Sequence, residues 1–225
     1  MSAAAADANT WSTLLSPALR LIDSLEVAGY GRLDFRLGGG TALMFALQHR
    51  ISKDIDIFFD DAQGLGFLSP RLNGTAAALA RDYAEQGSSL KLVLDAGDID
   101  FIVAGTVIPG EPRGALDFHG RSIPLDPISE VLAKKLLYRA ASFKPRDVFD
   151  LAAVLEQDRP SAAAAILATR SMSEVLLRRL DALGRLPPAQ LRSDIHPIGE
   201  AASLLDRMFD TVKTAVIASR DGSPT

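Results

Sequence analysis

The chain reads as an α/β (α+β) protein, with an N-terminal mixed sheet carrying helices and a C-terminal all-helical region. Three observations predict this. β-rich runs fall at residues 33–37, at 55–59 and on both sides of Ala96-Gly97. Between the first two lies a stretch of helix-forming residues. From residue 127 to 217 nearly every segment favours helix, with breaks near Lys144-Pro145, Arg159-Pro160, Leu186-Pro187-Pro188 and His196-Pro197. A chain of 225 residues can bury a sizeable core as one large domain or two small ones. The change of character places the division after residue 126: an α/β domain over 1–126, and a helical domain over 127–225 that completes the active cleft.

The elements follow in order. Residues 11–27 carry Leu14, Leu15, Leu19, Ile22 and Leu25 at helical spacing and predict an amphipathic first helix. Residues 33–37 form a short strand, 41–49 a helix capped by Thr41, and 55–59 the next strand. The Ala-rich segment 72–86 is expected to be helical. The run LKLVLDAGDIDFIVAGTVI is two strands around Ala96-Gly97, a hairpin. Residues 220–225 are expected to be a loose tail.

Composition narrows the function. With no cysteine, the chain has no disulfide, thiolate zinc site or cysteine nucleophile. A net charge of −4 means that any binding to nucleic acid relies on a local patch. A candidate patch spans residues 134–146, where Lys134, Lys135, Arg139, Lys144 and Arg146 occur with Tyr138, Phe143 and no acidic residue. The segment MSAAAADANT lacks a basic stretch and a continuous apolar run, and no run of eighteen apolar residues occurs. A cytoplasmic protein without membrane contact is expected.

The most informative stretch is LGGGTALMFALQHRISKDIDIFF. Glycines close a strand and open a helix at Gly39-Gly40-Thr41, and a second strand then carries Asp54 and Asp56. Strand side chains alternate, so the two carboxylates point the same way while Ile55 and Ile57 pack behind them. Their α-carbons lie roughly 6.6 Å apart, within reach of one divalent ion or a pair. Like charges about 7 Å apart repel by roughly 0.6 kcal/mol in water and about 2.4 kcal/mol at an effective dielectric near 20. Such a pair costs stability until a cation neutralises it. A second alternating pair, Asp98 and Asp100, lies in DIDFIV. Asp98 follows Gly97 in a turn, where an Asp favours local hydrogen bonding.

The pattern of glycines, helix and Dh[D/E]h resembles the polymerase-beta-like nucleotidyltransferase superfamily. More narrowly, GGTAL followed by HRISKDIDIFF is similar to the AbiEii/AbiGii toxin family of nucleotidyltransferases. So is the later block VLAKKLLYRAASFKPRDVFDLAAVL, with a helix Lys, then Arg, then RDxxDL. The two blocks cover residues 33–60 and 127–155.

The resemblance implies a metal-dependent nucleotidyltransferase that moves an NMP from an NTP to a hydroxyl. It implies that Asp54, Asp56 and Asp100 hold magnesium, two ions being expected. Gly39, Gly40, Thr41, Ser52 and Lys135 are the nucleotide-binding residues it implies, and Asp54, Asp56, Lys135 and Asp147 the catalytic ones. Asp147 and Asp150 share a helix face, so they are also candidates for a supporting network with Lys135, Arg139 or Arg146. His49 and Arg50 are expected to pack or support. The acceptor implied is RNA, at the 3′ end of tRNA, with a separate antitoxin protein as partner. Transfer to a small molecule or a protein side chain is the alternative, as is a non-catalytic nucleotide- or RNA-binding module.

Overall fold

The structure is a computed structural model and describes residues 10–222. The readings made on residues 1–9 and 223–225 lie outside the described residues. Two compact units are present. Unit one takes in the chain up to Thr41, Ser52–Thr106 and Arg113–Asp126; unit two takes in Ala42–Ile51, Val107–Pro112 and the chain from Pro127 onward.

Unit one is built on a seven-stranded mixed sheet. Helix α1 (Thr10–Val27) is followed by β1 (Phe35–Gly38), helix α2 (Gly39–Leu47) and β2 (Ile55–Phe59). A 3-10 segment (Ala62–Leu68) and a short helix α3 (Gly74–Leu79) lead to β3 (Asp82–Gln86), β4 (Ser89–Leu94) and β5 (Gly97–Val103). The hairpin of β6 (Gly114–Phe118) and β7 (Arg121–Leu125) completes the sheet, in the order β3-β4-β5-β2-β1-β7-β6. β2 runs parallel to β5 and antiparallel to β1, and β1 is parallel to β7. Leu37, Ile55, Ile57, Ile99 and Phe101 are fully buried. Helix α1 packs against β2 and β5 with Leu14, Leu15, Ala18 and Leu21 buried. Alternation along β2 and β5 then turns Asp56 and Asp100 to the opposite face.

Two expectations are corrected here. Residues 72–86 are not one helix. Asn73 caps α3 by accepting from the Thr75 and Ala76 N–H groups, and the helix stops at Leu79 because Ala80 is extended. Residues 82–86 then pair with β4, Gln86 opposite Ser89 and Asp82 opposite Val93. The Gly87-Ser88 turn and the pairing it closes override the helix propensity of the alanines. Helix α2 begins at Gly39, so Thr41 is inside it and not its cap. The Thr41 hydroxyl instead donates to the Asp54 carbonyl at 2.5 Å, tying the first turn of α2 to the entry of β2.

Unit two is helical: α4 (Ile128–Arg139), α5 (Pro145–Gln157), α6 (Arg159–Ala168), α7 (Ser173–Leu183), α8 (Pro188–Arg192) and α9 (Met208–Arg220). Pro145 opens α5 and Pro188 opens α8, so those breaks are helix starts, where the missing N–H costs nothing. Ala42, Leu43, Leu132, Phe143, Phe149, Val154, Leu180 and Val212 belong to its continuous core. Residues 107–112 are tied to this unit by Glu130. Its carboxylate accepts from Val107 N at 2.9 Å and from Ile108 N at 2.8 Å.

Arg36, on β1, is fully buried in unit one. Its Nε donates to Asp126 at 3.0 Å, and Nη1 and Nη2 donate to Asp60 at 2.8 and 2.7 Å. Burial opposes its charge, but the two carboxylates hold the guanidinium above its ordinary value. Removing one partner of a buried pair leaves an uncompensated charge. Arg36→Met is expected to lower unfolding free energy by about 3–5 kcal/mol in urea melts. A loss under about 1 kcal/mol would show that the pair is not structural.

Candidate active site

The site in unit one is a row across the sheet. Gly38 on β1 faces Asp56 on β2, Asp56 faces Asp100 on β5, and Asp100 faces Lys91 on β4. Directly opposed residues present their side chains to the same face. Gly39 sits at φ +63, and a Cβ there would lie 1.8 Å from Asp56 Oδ2. A Cβ at Gly38 would meet the Phe58 ring at 2.6 Å. These two positions, Gly38 and Gly39, are where the motif requires glycine. The Asp56 carboxylate therefore rests on the start of α2, where the first helical N–H groups have no intrahelical acceptor.

The three acidic residues expected at the metal do not share one environment. Asp54 Oδ1 accepts from Asp98 N at 3.2 Å. Asp100 is held by Lys91, whose Nζ lies 3.2 Å from Asp100 Oδ2 and 2.8 Å from Asp98 Oδ2. The Asp56 carboxylate makes no hydrogen bond or ion pair among the described residues. Burial first, and then repulsion from Asp56, push the Asp100 carboxyl up to about 6, against the pull of Lys91. Lys91 is held above its ordinary value, since Asp98 and Asp100 outweigh its burial. Ionising Asp100 between its ordinary value of 3.8 and about 6 therefore costs the metal-free fold stability as pH rises.

Among the described residues no three His, Cys, Asp or Glu side chains converge as a ready metal cage. The pair Asp56 and Asp100 fits magnesium differently. That ion keeps several waters and is held by one or two carboxylates together with substrate phosphates. The repulsion already felt by Asp100 is the charge such an ion would relieve.

The second motif block lies in unit two and forms a buried ion network. Lys135 Nζ is 2.7 Å from Asp147 Oδ1 and 3.1 Å from Asp150 Oδ2. Arg50 grips Asp150 through Nε at 2.5 Å and Nη2 at 2.8 Å, and His49 Nε2 lies 2.7 Å from Asp150 Oδ1. Burial would push Asp150 up, yet Arg50, Lys135 and His49 hold it well below the usual carboxylate range. Among the described residues His49 Nδ1 is a buried atom without a hydrogen-bond partner. Lys135 is raised because Asp147 and Asp150 outweigh its burial and the opposing Arg50. Asp147 also accepts from Lys144 N at 3.0 Å, which satisfies the backbone N–H at the entry of α5.

The basic stretch 134–146 is thus not one exposed patch. Lys134 and Lys135 are buried in ion pairs, Lys134 with Glu130 at 3.4 Å, and Phe143 is core. Lys144 and Tyr138 are exposed, and Arg139 and Arg146 partly so. Periodicity alone did not show that α4 turns both lysines inward. Ser52 is buried at the entry to β2.

A family model described as "Nucleotidyl transferase AbiEii toxin, Type IV TA system" matches residues 23–216. The chain belongs to this family. It is an AbiEii nucleotidyltransferase toxin of a type IV toxin-antitoxin system. Among solved structures it is similar to MenT4, a nucleotidyltransferase toxin from Mycobacterium tuberculosis H37Rv. The identity is 16%, with 95% of this chain and 86% of that chain covered at a TM-score of 0.52. A weaker likeness is to the STING-associated CdnE c-di-GMP synthase from Capnocytophaga granulosa, 10% identical, covering 84% of this chain and 75% of that chain at a TM-score of 0.27. No curated protein matches. No helix among the described residues is long and apolar enough to cross a membrane.

Sequence reasoning missed Lys91 and Arg36 in this AbiEii chain. The Lys91 signal was present: the two-residue turn Asp95-Ala96 sets Leu94 opposite Gly97, and counting back from there sets Lys91 opposite Asp100. Arg36 carried none, because Asp60, Asp126 and Ala104 reach it from separate segments.

Asp56→Asn removes one charge at nearly constant shape. It is expected to leave the melting temperature in EDTA unchanged or higher, to remove stabilisation by magnesium with NTP, and to abolish transfer. A clear drop in the EDTA melt with retained transfer would contradict the role given to Asp56.

Proposed function

We propose that this toxin transfers an NMP from an NTP to a hydroxyl of RNA, with the 3′ end of tRNA as acceptor, and that a separate antitoxin protein restrains it. The observation that carries the catalytic half of this reading is the unengaged Asp56 carboxylate, seated between the start of α2 and Asp100. Magnesium, as one ion or two on Asp56 and Asp100 with Asp54 beside them, would supply neutralisation of the triphosphate and a more acidic attacking hydroxyl. The chain's own groups do the remaining work. The first-turn N–H groups at Gly39, Gly40 and Thr41 offer donors to phosphate oxygens. Thr41 contributes through its backbone, since its hydroxyl is committed to the Asp54 carbonyl. Asp54, tied to Asp98 N, holds the entry of β2 in place.

Lys135 and Asp147 are assigned to the buried ion network of unit two. The charge of Lys135 is matched by two carboxylates, so a triphosphate would have to displace a buried pair to reach it. Ser52 is assigned to the phosphate side of the site because it stands just ahead of Asp54, in the place the family pattern gives it.

Incubation of the purified chain with each labelled NTP, magnesium and total RNA tests the reading. Label is expected in RNA of tRNA size and in the wild type only, not in Asp56→Asn. Label confined to a small molecule or to protein would overturn the RNA acceptor and keep the enzyme class. Nucleotide binding without any transfer would overturn the catalytic reading.

A further inference from the structure

Lys91 stands at the end of the row Gly38, Asp56, Asp100, Lys91, and so on the face that carries the carboxylates. Its amine bridges two of them, 3.2 Å from Asp100 and 2.8 Å from Asp98. Three features separate it from an ordinary structural lysine. Its side chain is 39% exposed, so the ammonium moves without opening a cavity. It has a second acceptor, so leaving Asp100 does not strand a charge: Asp98 keeps it paired. And Asp100, the carboxylate it would leave, is the one facing the unengaged Asp56.

We propose that Lys91 is a tethered counter-ion for Asp100. It neutralises that carboxylate in the metal-free protein and yields it to the incoming divalent ion while remaining on Asp98. It thereby sets how much divalent metal is needed to load the site. This rests on the reading of Asp56 and Asp100 as metal ligands. The exchange is favourable in charge, because one ammonium cannot satisfy both Asp56 and Asp100, whereas a divalent ion between them satisfies both. Metal must compete with a partly exposed ion pair, and that competition weakens its binding by about 1.5- to 5-fold. Lys91 is a positioning residue: it acts through Asp100 and not on the nucleotide.

Manganese titration of the full chain without nucleotide, read by the electron paramagnetic resonance of free Mn2+, tests this directly. Lys91→Met is expected to bind Mn2+ about 1.5- to 5-fold more tightly, and Lys91→Arg to stay near wild type. In an Asp100→Asn background the Lys91→Met gain is expected to vanish, because a local competition needs its carboxylate whereas a general field effect does not. Lys91→Gln, which can still hydrogen-bond Asp98, carries the same expectation if circular dichroism shows that Lys91→Met does not fold. Unchanged or weaker Mn2+ binding in the neutral variant, or a gain that persists with Asp100→Asn, overturns the proposal while loss of binding in Asp56→Asn keeps the metal reading. Wild-type binding in both Asp56→Asn and Asp100→Asn overturns the metal reading itself.

Discussion

Taking a carboxylate or a guanidinium out of water costs several kcal/mol per ion unless a counter-charge and the right hydrogen bonds come with it. That constraint organises both units. In unit one Arg36 is enclosed with Asp126 and Asp60. In unit two Arg50 and Lys135 are enclosed with Asp150 and Asp147, and Glu130 with Lys134 and two backbone N–H groups. Asp56 is the departure: its neighbours are another carboxylate and the first turn of a helix. A site arranged this way keeps an unmet demand for positive charge in the place where a nucleotidyltransferase needs it.

The local grammar of the first motif was legible because it lies in contiguous residues. The alternation of Ile55, Asp56 and Ile57 assigns the Asp56 carboxylate to one face and the isoleucines to the other, and residues 55–59 are the strand expected, whereas Asp54, read as part of that strand, stands in the bend just ahead of it. The glycine positions were legible in kind and shifted in place. Gly38 and Gly39 are the residues pressed against Phe58 and Asp56, a fact set by a neighbouring strand and not by local sequence. The amphipathic first helix was legible for the same reason as the strand, with its leucines at one spacing.

What was not legible depends on pairing between distant segments. The helix expected through residues 72–86 gave way to β3 because a neighbouring strand was available to pair with it. In the hairpin of β6 and β7, β6 is mostly exposed and β7 mostly half-buried, so alternation gave no clear signal there. The lysines of α4 read as a basic stretch because their partners Asp147 and Asp150 stand on the next helix. The same distant partners explain why the second motif block pairs a helix lysine with RDxxDL: its polar residues close one network within unit two.

The central claim is that Asp56 and Asp100 together receive the metal that accompanies the nucleotide. Diffraction from crystals grown with Mn2+ and a non-hydrolysable NTP, recorded at the manganese edge, tests it most directly. The account predicts an anomalous peak within about 2.5 Å of both carboxylates, beside the first turn of α2, with the triphosphate completing the coordination. Nucleotide and metal bound together at another place, with Asp56 contacting neither, would contradict it.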